Sequence, residues 1–231
     1  MRKRKILDGM DRLWQKDVTL TSLLVFLLVY IFLLYPLGQV GSFMPLTSGF
    51  FSLILISGTI TVSRHRVFKT LVLSWGVLTF IFLWVKHLLP HQAFVFVADC
   101  LALFFLMLLA FLILSQVLRE GETTSQRIMG GVAAYLLLGL TWYLAYHLVA
   151  IGIPGAFSFQ GPSASGNGES LPSQLFYFSF VTLTTLGYGD IVAVHPLARM
   201  LVILEGVTGQ LFPAILIARL VSLHVQSKRK T

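Results

Sequence analysis

Thr184-Thr185-Leu186-Gly187-Tyr188-Gly189-Asp190 is the stretch on which the reading of this chain turns. Two glycines alternate with larger residues, between a threonine pair and a carboxylate. Glycine takes positive φ without a Cβ penalty. A ribbon that alternates left-handed and right-handed backbone values turns successive carbonyls to one side, and Gly187 and Gly189 suit that geometry. A lone Gly-X-Gly would read as well as a turn between two helices. The setting decides against the turn: an uncharged helical stretch precedes the run and an apolar one follows it.

Residues 185–190 resemble the selectivity filter of the potassium-channel family, with Leu186 as the single departure, an apolar exchange. The resemblance implies a row of carbonyls that replaces the water shell of a dehydrated potassium ion. It places ion-binding groups at Thr185, Leu186, Gly187, Tyr188 and Gly189, with K+ held at Thr185, Leu186, Gly187 and Tyr188. The Thr185 hydroxyl is an inner ligand, and the Leu186 and Tyr188 side chains pack behind the ribbon. Asp190 falls at the outer mouth, where negative charge concentrates cations.

Composition supports a membrane setting. The chain is 56% hydrophobic and 11% charged, with mean hydropathy +0.85; a soluble domain carries about 25% charged residues. Its charges are clustered, leaving no charge between Asp17 and Arg64, Lys69 and Lys86, Asp99 and Arg119, or Arg127 and Glu169. A spanning helix needs about 20 apolar residues. The 46 uncharged residues 18–63 are too many for one span, and Pro36, Gly38, Gly41 and Pro45 break them near the middle. We therefore expect spans at 18–38, 46–63, 68–86, 93–118, 128–151 and 196–222. Between the last two lie a Gly/Ser/Pro-rich stretch, a short apolar helix at 172–184, and the ribbon. The expected fold class is an all-α membrane protein: six transmembrane helices, with a re-entrant pore helix and filter between the fifth and sixth. Its segments are an N-terminal piece (1–17), a four-helix sensor-like domain (18–118), a linker (119–127), a pore domain (128–225) and a basic tail (226–231).

Orientation follows from Lys and Arg, which favour the cytoplasmic side. Fifteen of the 17 basic residues fall on one side of the expected spans, leaving Lys86 and Arg199. Both termini are thus expected in the cytoplasm, with Asp190 facing out. A net charge of +8 beside membrane spans suits topology and anionic lipid rather than nucleic acid. The single cysteine, Cys100, excludes a disulfide framework. The basic N-terminus lacks a small-residue cleavage site and reads as an uncleaved anchor. Ile6, Leu7, Met10, Leu13 and Trp14 share one helical face there; a surface helix and a frayed tail both fit.

The resemblance extends over 128–225 as outer helix, pore helix, filter and inner helix. It implies four copies around one axis, since a single ribbon cannot surround an ion. It makes Thr184 the cavity base and Tyr177 a brace for Asp190, with plain aromatic packing as the competing account of Tyr177. It makes Gly209 a hinge, although close helix packing by Gly206 and Gly209 fits equally. Pro213, expected to kink the helix, lines up with Ile217 and Val221 toward a cavity; Val221 and Val225 form an apolar gate, or pack between subunits.

Two intramembrane carboxylates stand out, since such groups are costly and usually paired or functional. Glu205 either braces the pore helix or sits protonated. Asp99 has Lys86, His87 and His91 near it in sequence. The fourth span, 93–118, contains no Arg or Lys. Voltage sensors move about 3–4 basic charges per subunit, so strong voltage gating is not expected. No metal-ligand spacing or nucleophile–base set stands out, so neither an enzyme nor a cofactor is expected, only potassium ions. The expected function is a passive potassium-selective homotetramer in a lipid membrane, without nucleic-acid or small-molecule partners. A bacterial inner membrane suits the compact loops. Competing readings are a non-conducting or regulatory channel subunit and, less well supported because only one filter loop is present, a potassium uptake component.

Overall fold

A computed structural model of the chain describes residues 20–34, 44–62, 66–88, 91–118, 125–160 and 170–228. Helix α1 covers residues 20–29 and passes into a π-helical turn at Tyr30–Leu34. It is followed by α2 (Met44–Val62), α3 (Arg66–Leu88), α4 (Gln92–Val117) and α5 (Ser125–Gly152). The remaining elements are β1 (Phe157–Phe159), α6 (Leu171–Leu183), β2 (Ile191–Ala193) and α7 (Pro196–Lys228). The expected surface helix at 6–14 lies outside the described residues. So do the breaker-rich loop 35–43 and most of the 119–127 linker.

The helix ends have local causes. Pro45 and Pro172 sit in the first turns of α2 and α6, and Pro196 opens α7. Proline is tolerated there because those N–H groups lack intrahelical partners. His91 caps α4 by accepting the Ala93 N–H at 3.3 Å. α7 runs past the expected end at 222 as far as Lys228. The expectation followed the apolar run, whereas a helix can continue into the polar zone, where a terminal lysine suits its negative end.

One correction to the all-α expectation is needed. β1 and β2 form a two-stranded antiparallel sheet with Phe157 opposite Ala193, Ser158 opposite Val192 and Phe159 opposite Ile191. Each strand has three residues, too few to show an alternating pattern, and Gly155 at φ 81° makes the turn that leads into β1.

Packing is centred on α5. It lies along α4 on one side and touches α6 and α7 on the other. One large core cluster joins α1 to α5; a second, built on Tyr146, Phe157, Leu175, Phe178 and Ile191, joins the end of α5 to the sheet and α6. The rings of Tyr146, Phe157 and Phe178 pack against one another at 5.2–5.7 Å. Among the described residues, α4, α5 and α7 are long and apolar enough to cross a bilayer, and α1, α2 and α3 carry shorter apolar stretches. α7 differs from its neighbours: 11% of its apolar window is buried, against 44% in α4 and 50% in α5.

Candidate functional site

The ribbon begins where α6 ends. The Thr184 hydroxyl turns back onto the Phe180 carbonyl at 2.6 Å. Thr185, Gly187 and Gly189 then take φ of 60°, 55° and 80°, while Leu186 and Tyr188 stay out of the left-handed region. Thr185 is the one non-glycine residue with positive φ among those described. For an L-residue that conformation costs about 1–2 kcal/mol. The last turn of α6 holds it there: its free carbonyls accept the N–H groups of Thr185 (to Thr182, 2.9 Å), Leu186 (to Val181, 2.9 Å) and Gly187 (to Val181, 3.4 Å). A Cβ built on Gly187 or Gly189 would meet nothing within 4 Å. Backbone conformation, rather than space, requires glycine at both.

The ribbon's N–H groups are thus partly used, but its carbonyls are not. Within the described residues no hydrogen bond reaches the carbonyl of Thr185, Leu186, Gly187, Tyr188 or Gly189, nor the Thr185 hydroxyl. The segment lies open on one chain, with Tyr188 67% exposed. Its far end is anchored. The Asp190 carbonyl accepts the Gln160 N–H at 2.7 Å, and β2 follows at once. The Asp190 carboxylate accepts the Ile191 N–H at 3.1 Å. It takes no bond from Tyr177, so the expected brace is not formed within one chain.

The near end is clamped from two helices. Tyr135 of α5 donates to the Leu183 carbonyl at 3.1 Å. From α7, a Cβ on Gly209 would fall 2.0 Å from that same carbonyl oxygen, whereas one on Gly206 would meet nothing. Close packing therefore has a definite contact behind it at Gly209. Pro213 sits inside an unbroken α7, next to Phe212, whose ring lies 5.6 Å from Tyr135. Ile217, Val221 and Val225 are exposed on the single chain.

Two buried polar clusters flank this assembly. Glu205 Oε2 accepts a hydrogen bond from the Tyr146 hydroxyl, and Glu205 Oε1 lies 2.6 Å from Ser179 Oγ. Ser179 also lies 2.8 Å from the Gly139 carbonyl. Sequence reasoning flagged Glu205 but not its partners. Asp99 pairs with His147 Nδ1 at 2.6 Å, across α4 and α5. The partner is thus not His91, which caps α4 instead; the side chains of Lys86 and His87 lie outside the described set. Tyr143 stacks on His147 and meets Phe176 of α6 edge-on.

Residues 132–226 match the ion-channel family. That stretch is similar to ion-channel domains. It contains most of α5, both strands of the sheet, α6, the ribbon and nearly all of α7. The chain is 42% identical to Two-pore potassium channel 4 of Arabidopsis thaliana over 71 residues, 31% of this chain and 25% of that protein. It is 30% identical to Protein LctB of Bacillus caldotenax over 87 residues, 38% of this chain and 64% of that one. With Protein LctB of Geobacillus stearothermophilus it shares 31% identity over 86 residues, 37% and 62% of the two chains. The chain thus spans less than two thirds of each relative. No solved structure gives a significant match. The match to an ion-channel domain and the long apolar helices together mark this as a membrane protein.

Proposed function

We propose that four copies of this chain assemble around one axis as a potassium-selective channel, with residues 185–189 as the filter. The observation that carries the reading is the row of five carbonyls without hydrogen-bond donors among the described residues, on a backbone that alternates in hand. Polar backbone at membrane depth is tolerated only in protein or beside water. An ion is the missing partner, and a ring of carbonyls requires several ribbons. The exposed apolar face of α7, including Ile203, Val207 and Leu211, supplies a surface for neighbouring copies.

In this reading the chain makes six passes with both termini in the cytoplasm, and α6 is a re-entrant pore helix. Its C-terminal end, the negative end of its dipole, favours a cation in the cavity below Thr184. Thr185 to Tyr188 hold K+, and Asp190 gathers cations at the mouth. Ile217, Val221 and Val225 line the inner helix toward the gate. Conduction is passive, without enzymatic chemistry or a resident cofactor. α4 lacks basic residues, so gating is not steeply voltage-dependent.

The test is flux from the purified protein in liposomes. The expected result is potassium uptake that fails when sodium is substituted and that barium blocks. Intact tetramers without selective flux would overturn the reading and favour a non-conducting channel subunit.

A further inference from the structure

The cluster behind the ribbon is short of one proton if Glu205 is a carboxylate. Tyr146, Ser179 and Glu205 are all 0% exposed. The Tyr146 hydroxyl donates to one carboxyl oxygen of Glu205. Ser179 Oγ touches two acceptors, Glu205 Oε1 at 2.6 Å and the Gly139 carbonyl at 2.8 Å. A serine hydroxyl carries one proton. With an ionised Glu205, one of these two short contacts would set oxygen against oxygen with no hydrogen between them.

A proton on Glu205 Oε1 removes the conflict. Glu205 then donates to Ser179, Ser179 donates to Gly139, and Tyr146 donates to Glu205 Oε2. Each contact holds one hydrogen. A proton on Oε2 instead would leave the Tyr146 hydroxyl without an acceptor, because it touches no other. The surroundings point the same way. The titratable groups that face Glu205 are Tyr146 and Tyr135, both from α5; α6 contributes Ser179, and no Lys, Arg or His pairs with it among the described residues. A buried charge without a counter-ion is strongly unfavourable.

We propose that Glu205 works as a neutral carboxylic acid, a positioning residue that ties α7, α6 and α5 together behind the filter. This rests on the channel reading above. Ser179 lies on α6 one and a half turns before the ribbon, and Gly209 sits one turn beyond Glu205 against the end of α6. The cluster therefore sets where α6 delivers Thr185. Neutrality matters to the ion: a carboxylate in that low-dielectric wall would compete with the carbonyl row for the cation.

Glu205→Gln tests the protonation state, because an amide donates to Ser179 and accepts from Tyr146 as the acid does. We expect Glu205→Gln to keep the potassium-over-sodium ratio, and Glu205→Ala and Ser179→Ala to lower it about tenfold, the scale of one buried hydrogen bond. Infrared spectra of the wild-type tetramer at neutral pH should show a carboxylic-acid carbonyl band that Glu205→Gln removes. Absence of that band, or a Glu205→Gln protein as impaired as Glu205→Ala, would overturn the proposal. The band is read without any flux. A silent channel with the band intact would sink the channel reading alone, and a selective channel without it would sink this one.

Discussion

Two polar regions of this chain meet α6, one along its length and one at its C-terminal end, and they are built on opposite terms. Along it, Tyr146, Ser179 and Glu205 leave no side-chain acceptor without a neighbour. At its C-terminal end, the ribbon presents five carbonyls and a threonine hydroxyl with no donor among the described residues. A buried polar group without a partner costs about 1–3 kcal/mol. The closed cluster therefore acts as a fastener, whereas the ribbon, exposed on one chain, meets that cost only in the proposed tetramer, where an ion would offset it. The same short helix serves both, so the closed side sets the precision of the open one.

The largest effect should come from breaking the open row itself. Gly187→Ala places a Cβ at φ 55° with nothing to clash against. The strain, about 1–2 kcal/mol per residue, repeats in every copy and tilts the carbonyls on either side. We expect tetramers to form with selective flux below detection, measured by liposome uptake beside a gel of the assembled protein. Normal selectivity would remove the ribbon's conformation from the account of function.

Next comes the other closed pair. Removing one partner of this short buried hydrogen bond leaves the other group unsatisfied at a cost of about 1–3 kcal/mol, while replacing both with apolar groups can be nearly neutral. Asp99→Leu or His147→Leu alone should lower thermal stability in detergent sharply, and the double variant should be less destabilised than either. Additive losses would show that Asp99 and His147 do not depend on each other.

The Gly209 and Gly206 pair sharpens the boundary between the two regions. Gly209→Ala drives a Cβ into the Leu183 carbonyl, and overpacking of this kind costs about 1–3 kcal/mol. Gly206→Ala meets open space and gains helix propensity, about 1 kcal/mol at most. Unfolding midpoints of the two variants should move in opposite directions. Equal shifts would argue against the contact and return Gly209 to the hinge reading.

What was legible in the sequence divides along the same lines. The helices could be read because charge exclusion accumulates over some twenty residues at a time, and α2 to α7 begin within a few residues of the expected positions. The glycines of the ribbon were legible because positive φ has one favoured residue type. Thr185 was not, since nothing local makes threonine left-handed; the last turn of α6 imposes it. The partners of the buried carboxylates were out of reach for a different reason. Ser179 and Tyr146 lie 26 and 59 residues from Glu205, and His147 lies 48 from Asp99. Proximity in sequence pointed instead to Lys86, His87 and His91, of which His91 is a helix cap. The sheet joins residues far apart through strands too short to announce themselves.

The smallest expected effect concerns voltage, and it follows from the closed side. One elementary charge crossing the whole membrane field gains about 2.3 kcal/mol per 100 mV. α4 offers a single formal charge, Asp99, and that charge is 3% exposed and held by His147 on α5. For it to move through the field, the pair would have to open inside the helix bundle, at a cost above what the field supplies. Currents from the reconstituted channel should therefore vary nearly linearly with voltage, and neutralising Asp99 should alter stability without adding or removing voltage dependence. Steep activation that Asp99→Asn abolishes would show that the pair opens during gating, and the contrast between a fixed closed side and a working open side would fail at that point.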